Sequence, residues 1–246
     1  MNLFENTGGP LRAEQRRTPS LSTIGRVTVG ALFLLILTAN GHGAALSAEV
    51  AGWLSAQTNI HTWSAEFTQT RTLKSLTQPL KAAGHVWFAS PNRFRWELGD
   101  PPQTIAVREG QELRVIYPKL KRVERFPLTP EGAGQWRDAL ALLEAGFPRS
   151  QSELEKQFLV VSEKTPGTIC ELELQPKSKA ARRMMPRITI IFDMTSYSLK
   201  ATELQFADGS TLRNEFANQV LNPTVDPKTF SPEIPTDYKV TEPLKQ

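Results

Sequence analysis

Few residues in this chain of 246 could carry chemistry, and they are widely spaced. His61 and His85 are the only histidines after residue 45, and neither lies in an H-E-x-x-H motif or beside a second metal ligand. No G-x-S-x-G nucleophile elbow, P-loop or G-x-G-x-x-G motif follows a predicted strand. We therefore predict that the chain has no metal site, no cofactor and no catalytic activity.

Two carboxylates are the strongest candidates for an enzymatic site. Glu171 and Glu173 are two residues apart, so they project from the same face of a predicted strand. A glycosidase uses one carboxylic acid and one carboxylate on either side of the bond that it cleaves. Solvated charges on a half-exposed strand explain the same pattern, and we favour that interpretation. A secreted hydrolase with an unrecognised site is the rival hypothesis.

Aromatic side chains, rather than polar ones, dominate the most informative segment of the sequence. Phe94 and Trp96 are two residues apart and share one face of their strand, whereas Arg93 and Arg95 point to the other face. Aromatics at alternate strand positions usually fill a protein core, although they also line apolar binding sites. Taken alone, the pattern leaves both interpretations open.

The elements that carry these residues are mainly strands. Apolar residues near helical spacing predict a first helix over Glu49 to Asn59. Alternating segments between Pro, Gly and Asn turns then predict eleven strands, at about 65–73, 81–89, 92–98, 103–108, 112–117, 121–126, 157–163, 168–175, 187–193, 198–206 and 211–220. Between the sixth and seventh strands, Trp136, Leu140, Leu143 and Phe147 have helical spacing, which predicts a helical insertion at about 133–155.

This order of elements predicts a mainly β fold with helices over one opening. Strands close together in sequence pair as an antiparallel meander, and about eleven of them form an incomplete antiparallel β-barrel. Helices inserted into a meander need an apolar surface to cover, so we expect them to act as a lid over an apolar cavity. The alternative is a barrel that its own side chains fill.

The amino end has the features of an export signal. Arg12, Arg16, Arg17 and Arg26 precede an apolar run over Val27–Ala39, and small residues follow. This run is short for a membrane span of about 20 residues, so we predict a signal peptide over residues 1–45 that is cleaved after Ala45 or Ser47. The alternatives are a permanent amino-terminal anchor and a twin-arginine signal at Arg16 and Arg17. A lipoprotein signal needs a cysteine at the cleavage point, and the only cysteine is Cys170, so we predict that the protein is not itself lipidated. A single cysteine also excludes an intrachain disulfide.

Composition limits the mature protein to a single domain of modest charge. Residues 46–246 suit one domain with a sizeable core. The whole chain has a net charge of +4, of which four Arg and two Glu in the first 45 residues contribute +2. The remaining charge is too small for nucleic-acid binding, so we predict no nucleic-acid partner. We also expect a monomer.

Three separated motifs resemble the LolA family of periplasmic lipoprotein carriers. They are W-S-A-E-F-T-Q at Trp63–Gln69, W-F-A-S-P-N-R-F-R-W at Trp87–Trp96 and F-S-P-E-I-P at Phe230–Pro235. The resemblance implies an incomplete barrel with a helical lid, whose cavity receives the acyl chains of lipoproteins. It also implies an inner-membrane ABC transporter as donor, an outer-membrane LolB-like acceptor and a periplasmic location.

The resemblance and strand alternation together predict the site residues. The predicted lipid-binding residues are Phe67, Val86, Trp87, Phe88, Phe94, Trp96, Leu113, Val115, Leu172, Leu174, Ile190 and Phe192. Alternation leaves open whether Trp87 or its neighbours Val86 and Phe88 face the cavity.

Control of the lid is the point at which this sequence departs from the family. Many family members have a basic residue just before the Pro-Asn pair, and the resemblance implies that it contacts the lid. Ser90 stands at that position here, with Arg93 or Arg95 as possible substitutes. The segment L-T-Q-P-L at 76–80 is closer to LolA-like relatives in other lipid-export systems, so a carrier of another lipid or glycolipid is an alternative. A structural envelope protein tethered by an uncleaved signal is a third interpretation.

Overall fold

The computed structural model describes residues 46–128, 148 and 150–242. These residues form twelve strands: β1 Thr62–Thr72, β2 Leu80–Ala89, β3 Arg93–Leu98, β4 Thr104–Glu109, β5 Glu112–Tyr117, β6 Arg122–Pro127, β7 Phe158–Lys164, β8 Ile169–Pro176, β9 Arg187–Asp193, β10 Leu199–Gln205, β11 Thr211–Leu221 and β12 Lys239–Thr241. The first eleven lie where the alternating pattern predicts them, with ends shifted by a few residues. The prediction of a mainly β fold is confirmed.

All twelve strands belong to a single sheet that stays open. Its order is β12-β6-β5-β4-β3-β2-β1-β11-β10-β9-β8-β7. Neighbouring strands are antiparallel, except that β12 pairs with β6 in parallel through Val240 and Val123. Sequence analysis missed β12, because three residues are too few to show alternation.

Three α-helices lie in the described residues: α1 Ala48–Gln57, α2 Gln151–Gln157 and α3 Lys179–Met184. The predicted first helix is confirmed as α1. Ser47 precedes it as the N-cap, and its side chain accepts a hydrogen bond from the Val50 backbone N–H. Helix α3 was not predicted, because its six residues carry no apolar period. No helix in the described ranges is long and apolar enough to cross a bilayer.

The predicted helical insertion at about 133–155 falls largely outside the described residues. Helix α2 overlaps the end of this predicted insertion. Ser150 is its N-cap, and the Ser150 side chain accepts a hydrogen bond from the Glu153 backbone N–H. Leu154 on α2 is fully buried and packs in the main core. The prediction of a helical lid over a cavity stays a prediction.

The two faces of the sheet differ in what they bury. We call the face that carries Trp63, Ala65 and Phe67 on β1 the inner face, and the opposite one the outer face. The inner face packs against α1 through Val50, Trp53 and Leu54, where Trp53 stacks on Phe192 at 4.9 Å between ring centroids. This packing forms the main core.

Part of the outer face is also covered, by the carboxy-terminal segment. A 3-10 turn at Pro227–Phe230 lies next to β3 and β4, and Phe230 is only 1% exposed. The guanidinium of Arg95 donates to the Thr229 carbonyl oxygen at 3.1 Å, and that of Arg114 donates to the Phe230 carbonyl oxygen at 3.4 Å. These contacts fix residues 227–230 on the outside of the sheet.

Candidate functional site

The inner face carries a continuous group of aromatic rings where β11, β1, β2 and β3 are neighbours. Register places Phe67 opposite Phe216, and Phe88 opposite Phe94. Ring centroids of Phe67 and Trp96 are 4.1 Å apart, and Trp96 lies edge-on to Phe216 at 6.3 Å. Trp63 completes the group at 5.4 Å from Phe216. Aromatic pairs at these distances attract each other in addition to burying apolar area.

Gly84 makes room for this group. It faces Phe67 across the β1–β2 pair, and a Cβ atom placed on it would lie 2.1 Å from Cζ of Phe67. The same Cβ would lie 2.4 Å from the Glu97 carbonyl oxygen. Only glycine at this position therefore leaves room for the Phe67 ring to contact Trp96.

A second apolar cluster lies on the inner face of β3 to β6. Phe94 is 9% exposed and packs with Leu113, Val115 and Phe126. Trp96 is half-buried and contacts both this cluster and the main core, so it joins the two. The predicted residues Phe94, Trp96, Leu113 and Val115 are thus brought together.

A half-buried cation borders the second cluster. Arg108 lies opposite Phe94 in the β3–β4 pair, and its Nε donates to the Gly110 carbonyl oxygen at 3.4 Å. Desolvation by burial lowers the pKa of Arg108 below the usual value for a guanidinium. The guanidinium of Arg108 is thus a polar group beside a mainly apolar cluster.

Four predicted site residues occupy the interior of the main core. Leu172, Leu174, Ile190 and Phe192 are each 0% exposed, and they pack beneath α1. Phe67 and Val86 join the same core at 3% and 4% exposure. These six share the inner face with Phe94 and Trp96, as strand alternation predicts, and whether they bind lipid stays a prediction.

Trp87 lies on the outer face. The β1–β2 register places Val86 opposite Ala65, and Phe88 opposite Trp63, all on the inner face, so Trp87 must face outward. Its ring stacks on that of His85, at 4.1 Å between centroids. The sequence left this choice of face open, because the run Val86, Trp87, Phe88 is apolar on both sides.

The three residues predicted to control the lid lie apart from the inner face. Ser90 follows β2, and its backbone N–H donates to the His61 carbonyl oxygen at 2.8 Å. Arg93 lies over the Phe230 ring at 5.2 Å, and Arg95 binds Thr229 and Glu97. Both arginines therefore engage the carboxy-terminal segment on the outer face, and a role in controlling the lid stays a prediction.

Sequence analysis missed four aromatics that the structure adds to this surface. Trp63 and Phe216 belong to the aromatic group on β1 and β11, while Phe126 and Tyr117 belong to the second cluster. The available signal was alternation: each lies two residues, or a multiple of two, from another inner-face position on its strand. Trp63 and Phe216 also lie at opposite ends of the described strands in sequence, which hid their contact.

Comparison with known proteins identifies the family. The profile described as "Outer membrane lipoprotein carrier protein LolA" matches residues 58–233, which is well over half of the chain. The chain belongs to the LolA family. Its match runs from just before β1 to just after Phe230, so it includes every strand of the sheet except β12.

Individual relatives cover most of the same LolA region. A protein named outer-membrane lipoprotein carrier protein from Cupriavidus pinatubonensis is 29% identical over 214 residues, covering 85% of this chain and 95% of that protein. A protein of the same name from Legionella pneumophila is 28% identical, covering 86% and 98%. Among solved structures, a LolA superfamily protein from Nitrosomonas europaea matches with 9% identity and a TM-score of 0.39, covering 76% and 98%.

Proposed function

We propose that this protein is a periplasmic lipid chaperone that carries lipoproteins from the inner to the outer membrane. One observation carries the proposal: the aromatic group and the second cluster form one apolar surface on the inner face, joined by Trp96. Two relatives are named outer-membrane lipoprotein carrier protein, and the similarity covers 95% and 98% of their lengths. We infer that the protein acts by binding, without catalysis or cofactor.

The physical task of such a carrier explains why this surface is apolar and adaptable. Burial of an acyl chain stabilises the complex by about 0.8 kcal/mol per CH₂ group, so several chains resist release into water by tens of kcal/mol. A carrier has to replace the membrane and still release its cargo, which favours broad apolar contacts over tight specific ones. Phe88, Trp96 and Phe216 suit this role because they are only partly buried.

The proposal includes export and processing. Cleavage after Ala45 fits the fold better than cleavage after Ser47, because Leu46 packs against the main core and Ser47 caps α1. Ser47 Oγ also donates to Glu163 Oε1 on β7 at 2.5 Å. Cleavage after Ser47 would remove all three contacts. We therefore propose Leu46 as the first residue of the mature periplasmic protein.

Two partners follow from the same proposal. An inner-membrane ABC transporter supplies the acylated lipoprotein, and an outer-membrane LolB-like acceptor receives it. The carrier passes cargo in one direction when the acceptor offers the acyl chains a more favourable environment than the inner face does.

Mass spectrometry of the bound lipid tests the cargo. The protein is purified from the periplasm, its bound material is digested with protease and extracted with organic solvent, and we expect acylated amino-terminal peptides of lipoproteins in the extract. Phe94→Glu introduces a charge among Leu113, Val115 and Phe126, so it should lower the lipid load. Lys200→Glu changes an exposed residue of β10 and serves as the control.

Three results would count against the proposal. The first is a folded wild-type protein that carries no lipid from its own periplasm. The second is a folded Phe94→Glu variant with an unchanged lipid load. The third is intact protein, recovered only in membranes, that still contains Met1. A different lipid class in the extract would support the carrier function but contradict lipoproteins as the cargo.

A further inference from the structure

A groove on the outer face lies outside the proposed function. It has a volume of about 500 Å³ and crosses β11, β1, β2 and β3 near the turn after β3. We call it the outer groove and define it by Trp87, His85, Glu66, Glu97, Asp100 and Glu215. It is on the opposite side of the sheet from the aromatic group, so it is separate from the proposed lipid surface.

Small side chains create the depth of the groove. Ala83 and Ala217 lie on the outer face between larger neighbours. Pro102 and the turn at Gly99 and Asp100 form one wall, while the stacked rings of His85 and Trp87 form another. Antiparallel sheets often leave one face to solvent, but a flat solvated face does not enclose a volume of this size.

The charge of the groove is opposite to that of the whole protein. Four carboxylates line it, whereas no Lys or Arg among the described residues does. The chain as a whole has a net charge of +4. This contrast makes the groove complementary to a positively charged partner.

Internal contacts hold the carboxylates in place without using all of their oxygens. Arg95 binds Oε1 of Glu97, Asn218 binds Oε2 of Glu66 and Arg213 binds Oε1 of Glu215. Each of these contacts engages one oxygen atom, so the second oxygen remains an acceptor. Of the two groove carboxylates that form salt bridges, Glu97 is the more buried, with 17% of its side chain exposed. A charge-assisted hydrogen bond is stronger at such a buried carboxylate than at an exposed one.

We propose that the outer groove binds a basic, extended peptide segment of a protein partner, with an arginine side chain stacked on Trp87. A guanidinium is planar, so it stacks on an indole ring and at the same time donates to nearby carboxylates. Four neighbouring strands span roughly 14 Å, which accommodates a few residues of extended chain rather than a single ion. The proposal does not depend on what the inner face binds.

Binding of a defined peptide to the mature protein tests this inference. The probe is fluorescein-labelled Gly-Arg-Gly-Arg-Gly-amide, measured by fluorescence anisotropy at low ionic strength, where surface charges are least screened. Trp87→Leu should weaken binding about tenfold or more because it removes the stacking surface. Glu66→Gln combined with Glu215→Gln should weaken it to a similar degree while preserving the shape of the side chains.

A matched control separates the groove from general charge attraction. Glu171→Gln combined with Glu233→Gln removes the same charge away from the groove, and its affinity should stay within about twofold of the wild type. Circular dichroism and thermal melting check that each variant is folded. If Trp87→Leu unfolds, the comparison between the groove double variant and the control double variant still tests the inference. The inference is overturned if the folded protein does not bind the peptide, or if groove and control variants weaken binding equally.

Discussion

At the scale of single residues, the most unusual group in the core is the indole of Trp53. Its side chain is 0% exposed, yet Nε1 has no hydrogen-bond acceptor among the residues that the structure describes. Buried N–H groups are nearly always paired, because an unpaired one costs about 1–3 kcal/mol. The stack on Phe192 therefore holds the indole ring in a position where its N–H has no acceptor among the described residues.

Trp53→Phe tests this account. Phenylalanine keeps the stack on Phe192 and removes the unpaired donor, so the free energy of unfolding should change by less than about 1 kcal/mol. Trp53→Ala, which also removes the ring, should cost about 3–5 kcal/mol. Urea denaturation measures both variants. A loss above about 2 kcal/mol for Trp53→Phe would contradict this account.

Cys170 supplies a second prediction at this scale. The thiol is fully buried, and desolvation, together with the nearby Glu163 carboxylate, raises the pKa of Cys170 to about 12. The folded state then holds the thiol proton more tightly than the unfolded state does. This contribution to stability is complete below the unfolded pKa of about 8.5 and decreases as pH rises towards the folded pKa.

Two measurements check the thiol. Iodoacetamide should not modify native Cys170 at about pH 8, but should modify it rapidly in denaturant, because only the thiolate reacts. The free energy of unfolding should also fall less steeply above about pH 9 in Cys170→Ala than in the wild type. Equal alkylation of the native and denatured protein would contradict the burial of the thiol.

At the scale of elements, the close approach of β1 and β2 depends on Gly84. Phe67 extends across β2 to Trp96 because no side chain stands in its way. A glycine normally destabilises a β-strand. Gly84 is explained here by packing, because a larger residue would clash with the Phe67 ring.

Gly84→Ala should therefore destabilise the protein by several kcal/mol, or about 2–4. The new methyl group meets the Glu97 backbone carbonyl oxygen, which cannot move without disturbing the β2–β3 pair. Gly52→Ala on α1 is the contrasting variant. There the nearest atom is Tyr197 Oη, at the end of a side chain, and alanine favours a helix by about 1 kcal/mol. Thermal melting should rank Gly84→Ala well below Gly52→Ala, and the reverse order would contradict the packing argument.

At the scale of the whole molecule, the carboxy-terminal segment ties the end of the chain to the sheet. Phe230 is buried on the outer face beneath Arg93, and β12 then pairs with the edge strand β6. Lys121 and Asp237 form an exposed ion pair beside this strand, at 2.7 Å, which contributes little by itself. We therefore expect the burial of Phe230 to contribute more to this attachment than the ion pair does.

Phe230→Ala should lower the free energy of unfolding by about 3–5 kcal/mol, because it leaves a cavity and uncovers the outer face. For a domain of this size, the melting temperature should fall by roughly ten degrees. Lys228→Ala changes an exposed residue of the same turn and should leave the melting temperature nearly unchanged. Equal effects of both substitutions would show that the segment does not rely on Phe230.

The sequence by itself determined the strands and most of their faces. Alternation has a period of two residues, so it predicts that Phe94 and Trp96 share a face, and that Leu172 and Leu174 do. It does so because side-chain direction along a strand is a local property of the backbone. The three family motifs rest on the same local patterns.

Only the tertiary structure decided which strands are neighbours. Phe67 and Phe216 meet because β1 pairs with β11, across nearly the whole fold in sequence. Trp87 faces outward because the β1–β2 register buries Ala65 and Phe67 on the inner face. A shift of the register by one residue would move the buried side chains of a strand to the other face. The same pairing assembles the outer groove and brings Phe230 to Arg93. Such contacts depend on the summed burial of whole strand faces, which no local segment of the sequence contains.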